Sequence, residues 1–150
     1  MRIVAQRVTS AQMAVDGAPY SVIEQGLMVL IGVEHEDTLE DVEWLVGKML
    51  RMRIFDDENG VMNLDVNQIG GELMLVSQFT LHASTRRGNR PSYIKAAGEA
   101  HSRPLYEAFV ERTRALFSGK VATGVFGADM KVNLCNNGPV TIIIDSKLRE

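Results

Sequence analysis

Residues 27–33, Leu27-Met28-Val29-Leu30-Ile31-Gly32-Val33, form an unbroken apolar run of strand length. A strand with no polar face is one covered on both sides, so this run belongs at the centre of a sheet. A second such run lies at 72–81, Glu72-Leu73-Met74-Leu75-Val76-Ser77-Gln78-Phe79-Thr80-Leu81, and its far end turns polar. Upstream, residues 2–8 and 12–16 alternate as strands do, with Ile3, Ala5 and Arg7 facing one way and Val4, Gln6 and Val8 the other. Asp16-Gly17-Ala18-Pro19 reads as a turn. Downstream, segments 129–135 and 139–145 are predicted as two closing strands flanking Asn136-Asn137-Gly138-Pro139.

Two helices stand between these strands. Asp37-Thr38-Leu39-Glu40 has the form of a capping box, and Leu39, Val42, Val46, Met49 and Leu50 then recur at helical spacing, which predicts a helix near 38–52. In the second, Ser102 can cap, Pro104 falls in the first turn and Gly119 follows the end. Its Leu105, Phe109 and Leu116 interleave with Tyr106, Val110 and Phe117 on one broad face that packs on the sheet. Many strands and two main helices in no regular alternation predict an α+β fold with a largely antiparallel sheet. No repeat, low-complexity tract or linker interrupts the 150 residues, so a single domain over 1–150 is expected.

The composition, 45% hydrophobic and 23% charged, is that of an ordinary globular chain, and the net charge of −3 argues against an extended nucleic-acid footprint. The lone Cys135 excludes an intrachain disulfide and a Cys-rich zinc site. The first residues break their apolar run too soon for a signal peptide, and no stretch approaches the roughly 18 apolar residues of a membrane span. A cytoplasmic protein without membrane contact is therefore expected.

Familiar catalytic patterns do not occur. His35, His82 and His101 stand far apart and form no metal-binding spacing; each reads as an ordinary surface or loop histidine, with His82 set apart because it directly follows the polar strand end. Gly70-Gly71 precedes a strand and lacks the Lys-Ser/Thr of a phosphate loop. Asp56, Asp57 and Glu58 read as solvated residues of a turn ending in Asn59-Gly60, a hairpin signal. No metal and no cofactor are expected.

What remains is unevenly placed charge and two polar motifs. From His82 to Arg103, Arg86, Arg87, Arg90, Lys95 and Arg103 face one acid, Glu99, giving +4 locally and leaving −7 elsewhere. A solvated loop is the ordinary reading of such a stretch. Its position after Ser77, Gln78 and Thr80 makes it a candidate basic rim beside a polar pocket, suited to a substrate with a few phosphates. On a strand, Ser77 and Phe79 share one face and Gln78 and Thr80 the other, and backbone N–H groups at a strand end can hold a developing oxyanion. Gly138-Pro139 reads either as a hairpin turn or as a rigid main-chain wedge, cis or trans.

Together, Ser77-Gln78-Phe79-Thr80-Leu81 and Asn137-Gly138-Pro139-Val140-Thr141 closely resemble the two signature motifs of the D-aminoacyl-tRNA deacylase (D-Tyr-tRNA deacylase) family. The likeness runs the whole chain, through Arg2-Ile3-Val4-Ala5-Gln6-Arg7-Val8, Arg53-Ile54-Phe55, Met62-Asn63-Leu64, Arg90-Pro91-Ser92-Tyr93 and Phe126-Gly127-Ala128-Asp129-Met130. The resemblance implies a homodimer with a β-barrel-like fold that hydrolyses the ester between a D-amino acid, or glycine, and the acceptor end of tRNA while sparing L-aminoacyl-tRNA. It implies a site at the subunit interface. Ser77, Gln78, Phe79 and Thr80 would line the pocket, Gly138-Pro139 would enter from the partner, Arg7 would hold that wedge, and Phe126 and Met130 would lie nearby. With no base or metal, backbone amides and the substrate's own 2′-hydroxyl would carry the reaction; an alternative makes Thr80 the nucleophile. Asn137 stands where the family usually has Asp, and Asn is expected to keep the turn. DNA is not an expected partner. Two other functions stay open, a non-hydrolytic dimeric protein that binds tRNA ends and an esterase for small substrates.

Overall fold

The computed structural model describes residues 1–149. Its spine is β1 (Arg2–Val15), whose edge is shared by β2 (Ala18–Ile23) and β3 (Gly26–Gly32), both antiparallel to it. Ile23 pairs with Ala11 and Gly26 with Val8, so β2 and β3 together form the return arm of one long hairpin. Only Asp16 (φ 49°) and Gly17 (φ 82°) make the turn, both in the left-handed region that a tight hairpin matched to strand twist requires. β1 is one strand, where the sequence suggests two segments.

The central run 27–33 is indeed central: β3 pairs on its other side with β6 (Glu72–Ser77), in parallel, and β6 with the short β7 (Val121–Thr123), also in parallel. β8 (Met130–Asp145) lies antiparallel along the free edge of β1 for its full length. The sheet is therefore mixed, with its longest pairings antiparallel. It curls until its edges approach: Ser21 Oγ donates to Thr123 O (3.2 Å), and Lys120 Nζ to Val22 O, bridging β2 to β7. The result is a nearly closed, barrel-like sheet with two helices, in a single domain. Inside the curl, Val8, Met13, Met28, Met74 and Val76 form one core; on the outer face, Ile3, Leu27, Val29, Leu73 and Leu75 form a larger core under the helices.

α1 (Leu39–Arg51) buries Val42, Leu45, Val46, Met49 and Leu50 in that larger core. At roughly 1.5–3 kcal/mol per large side chain, this burial stabilises a 13-residue helix that would be marginal alone. Its cap is one residue later than the sequence suggests. Thr38 Oγ1 accepts from Glu40 N–H and Asp41 accepts from Thr38 N–H (2.8 Å), while Asp37 is drawn into the interior by the N-terminal amine of Met1. After α1, β4 (Phe55–Asp56) and β5 (Met62–Leu64) form the small hairpin that Asn59-Gly60 signals. α2 spans Glu99–Leu116 and starts earlier than expected, from Gly98; Ser102 lies inside it, its Oγ donating to Gly98 O, and Pro104 is its sixth residue. Among the described residues no helix is long and apolar enough to cross a membrane.

Two expectations fail in ways that shape the site. The run 72–81 is not one strand: β6 stops at Ser77, and a 3-10 turn follows at Phe79–His82. Residues 129–135 and 139–145 are not two strands about a hairpin. Both halves pair with β1 in the same direction, and the register jumps from Gln6↔Thr141 to Val8↔Asn136, so 137–140 are extruded as a bulge opposite Arg7.

Candidate functional site

A cavity of about 360 Å³ opens where β6 ends. Leu30, Val76 and Val132 give it an apolar floor, and Ser77, Gln78 and Phe79 form one wall. The chain leaves the sheet here because Gln78 N–H donates to Ile31 O (2.7 Å), the last rung toward β3, before the 3-10 turn begins. The strand-face alternation expected for Ser77 to Thr80 therefore ends at Gln78. Gln78 Nε2 instead curls back to donate to Thr80 Oγ1 (2.6 Å). The opening amides of a helical turn have no acceptor within it, which leaves the Phe79 and Thr80 N–H groups beside this wall.

Phe79 stands 56% exposed at the rim, edge-on to Tyr93 (ring centroids 5.1 Å). Tyr93 belongs to the basic loop, whose Arg86, Arg87, Arg90 and Lys95 are all exposed. The opposite wall comes from the segment before β8. Phe126 and Met130 line the cavity, Phe126 lying 5.9 Å from the Tyr106 ring and under the Arg103 guanidinium (4.9 Å).

Tyr106 is a lining residue that the sequence reading leaves in the core face of α2. It is both: its ring is buried, and its hydroxyl donates to Leu75 O (2.9 Å). Burial pushes that phenol up to about 12. A phenol on an otherwise apolar helix face is the signal that could have marked it, because a buried hydroxyl needs a partner.

Arg7, Gly138 and Pro139 gather elsewhere. Arg7 is 7% exposed and spreads its guanidinium over three acceptors: Asn137 O (3.1 Å), Ile54 O (2.7 Å) and Asp56 Oδ1 (3.2 Å). Asp56 is thus more than the solvated turn residue its neighbours suggest. Asn136 Nδ2 ties the base of the bulge, donating to Gln6 Oε1 (3.1 Å) and Thr141 Oγ1 (3.2 Å). Asn137 contributes its main-chain carbonyl, which any residue supplies, and the bulge forms with Asn there. Gly138 and Pro139, joined by a cis peptide bond, are exposed at the tip.

None of Arg7, Asn137, Gly138 and Pro139 lines the cavity. Met130 pairs with Val15 and Asn136 with Val8, so the bulge stands seven residues along β1 from the Met130 wall. From Ser77 it is three strands across. Among the described residues, no three His, Cys, Asp or Glu side chains gather as metal ligands would. His82 is not a surface residue: it is buried beneath the 3-10 turn.

Known proteins resemble this chain over nearly its whole length. A profile of the D-Tyr-tRNA(Tyr) deacylase family matches residues 4–145. The chain is 56% identical over 150 residues to a D-aminoacyl-tRNA deacylase of Flavobacterium johnsoniae and 57% identical to one of Parabacteroides distasonis, covering each fully. Among solved structures it resembles a c-Myc DNA unwinding element binding protein (TM-score 0.92, 37% identity, 97% of this chain and 98% of that one). It also shares its fold with a probable eukaryotic D-amino acid tRNA deacylase (TM-score 0.83, 17% identity, 95% and 97% covered).

Proposed function

The chain belongs to the D-aminoacyl-tRNA deacylase family of hydrolases, and from that premise we propose that two copies form the active unit, each receiving Gly138-Pro139 from the other. The observation that carries this reading is the separation just described. The exposed, tethered Gly138-Pro139 tip takes no part in the cavity lined by Ser77, Gln78 and Phe79 of its own chain, which leaves it free to enter the cavity of a second copy. The exposed Phe79 ring is an apolar surface for such a contact.

In the joined site, the aminoacyl ester of a tRNA acceptor end enters beside Phe79 and Thr80. Their N–H groups stabilise the oxyanion that forms on the ester carbonyl. The terminal 2′-hydroxyl of the ribose, held next to the ester, assists attack by water. Thr80 is not the nucleophile in this account. Its Oγ1 accepts from the Gln78 amide, a neutral donor, and the described residues offer no base in hydrogen-bond reach to remove its proton. Main-chain groups of the partner's wedge crowd the substrate Cα, so hydrogen or a D side chain fits and an L side chain clashes. Glycine is a substrate for the same reason. Exposed Arg86, Arg87, Arg90 and Lys95 meet the phosphates next to the ester. This substrate places the protein in the cytoplasm.

The test is mixing. A Phe79→Ala variant, inactive alone, mixed equally with a Pro139→Ala variant that alone releases D-Tyr and L-Tyr alike, should roughly halve the L-to-D ratio of the latter, because half of randomly paired dimers are mixed and each holds one complete, selective site. An unchanged ratio from demonstrably mixed dimers would overturn the shared site. Equal release of D-Tyr and L-Tyr by the native protein would overturn chiral selection, and binding without turnover would favour a tRNA-end carrier. The DNA-binding name of the 37% identical protein suggests another ligand. The net charge of −3 favours one tRNA end over an extended duplex; duplex DNA that competes with tRNA at physiological salt would reverse that preference.

A further inference from the structure

Beneath the wall that carries Phe79 and Thr80 lies a side chain the reaction does not use. His82 closes the 3-10 turn and is 2% exposed, yet neither ring nitrogen makes a well-aligned hydrogen bond. Its surroundings are specific. Nδ1 lies 3.2 Å from Glu34 Oε1, and a nitrogen facing a carboxylate so closely carries the proton, because two lone pairs would repel. The other edge of the ring rests on Gly32. A Cβ at that position would stand 3.0 Å from His82 Cδ2, His82 Nε2 and Gln78 O alike, so only glycine lets the ring and the Gln78 carbonyl close on β3 together.

Glu34 is itself fixed. Its N–H donates to Asp37 Oδ2 (2.6 Å), Asp37 N–H returns to Glu34 O (3.2 Å), and Glu34 bridges Ala96. Asp37 is 1% exposed and anchored by the amine of Met1. A rigid post thus runs from the buried end of β1 through Asp37 and Glu34 to the imidazole. Above it, the turn has few other ties: Gln78 N–H to Ile31 O, and Arg2 Nη1 to Leu81 O (2.8 Å).

We propose that His82, held by Glu34, is a positioning residue for deacylation: it sets the height and tilt of the 3-10 turn and thereby the direction of the Phe79 and Thr80 amides. The inference rests on the reading of those amides as the oxyanion donors. A small misplacement of such donors costs catalysis far more than binding, since they act on charge that exists only in the transition state.

Three variants of the full chain test it, with D-Tyr-tRNA as substrate and hydrogen exchange of the 79–83 segment as a second readout. His82→Ala should lower kcat about 10- to 100-fold with KM little changed, and speed exchange at 79–83 but not in β6. His82→Asn places an amide N–H near the position of Nδ1 and should regain most of that loss. Glu34→Gln, at a partly exposed position, keeps the fold and should lower kcat several-fold. Native kcat in His82→Ala, or His82→Asn no better than His82→Ala, or an unaffected Glu34→Gln would each overturn the proposal. If His82→Ala does not fold, the other two variants decide. If the native protein does not deacylate at all, the functional reading fails, and the exchange measurement alone judges the positioning role.

Discussion

Replacing Arg7 by alanine should detach the Gly138-Pro139 bulge from the body of the protein. The side chain is 7% exposed and donates to two main-chain carbonyls, Asn137 O and Ile54 O, both part-buried. Hydrogen bonds from a charged group are worth about 1.5–3 kcal/mol each, so their loss comes to roughly 3–6 kcal/mol. The contact to Asp56 adds little, about 0–1 kcal/mol, because that carboxylate is 53% exposed and screened. Water reaching the rim of the bulge offsets part of the cost, which leaves about 3–4 kcal/mol, a large share of the 5–15 kcal/mol that holds an ordinary domain together. Urea unfolding of the variant should give this loss at unchanged slope. Arg7→Lys should recover about half, since one ammonium cannot reproduce the fork that spans both carbonyls. With the tip untethered, rejection of L-Tyr-tRNA should fail before D-Tyr-tRNA turnover does. A loss under about 1 kcal/mol together with undiminished L rejection would refute the tether.

Other perturbations give further expectations. Burial raises the pKa of Asp41, but hydrogen bonds from Ser146, Lys147 and the Thr38 backbone outweigh it and lower the value from 3.8 to about 2. Its folded pKa is depressed, so its contribution to stability is complete above the unfolded value and is lost as pH falls from about 4 toward 2; Asp41→Asn should flatten that part of an acid-unfolding curve. Gly138 sits at φ 125°, where an added Cβ would lie 2.8 Å from Val140 Cγ2 and 3.0 Å from Val140 N. Gly138→Ala should therefore cost about 1–3 kcal/mol, read as a lower thermal midpoint. Tyr106→Phe removes one donor to Leu75 O and should cost about 0.5–1.5 kcal/mol, since Gly124 N–H (3.3 Å) still pairs that carbonyl. A difference absorbance titration against this variant should show one phenol ionising near pH 12.

Much of the architecture was legible because it rests on local pattern. The apolar run at 27–33 announces a strand covered on both faces, and the heptad-like spacing from Val42 to Leu50 announces a helix with one buried side. Element ends were less legible. Asp37 and Thr38 are both good caps by type, and the buried Met1 amine and the Glu34 N–H, both bonded to Asp37, decide that it points inward. Gly98 and Ser102 compete as the start of α2 in the same way, and the helix begins at the earlier one because the chain is already positioned there by Ala97 N–H bonding Val33 O (2.9 Å).

The candidate site divides along the same line. Its residue types came from the family resemblance, and Ser77, Gln78, Phe79, Phe126 and Met130 line one cavity while Thr80, Arg7, Gly138 and Pro139 do not. Their geometry did not come with them. Periodicity continues past Ser77 without a break, yet β6 ends there because its neighbour β3 ends at Gly32 and offers no further rung; the backbone must then turn to satisfy itself. Likewise Asn136-Asn137-Gly138-Pro139 carries the chemistry of a hairpin turn, and what makes it a bulge is that β1 is long enough to pair with both halves of β8. Side-chain spacing and local backbone preference reveal both helices and most of the strands from the chain alone. Where strands stop, which polar groups are buried and whether the two motifs share a cavity depend on partners distant in the chain, and the folded molecule fixes them.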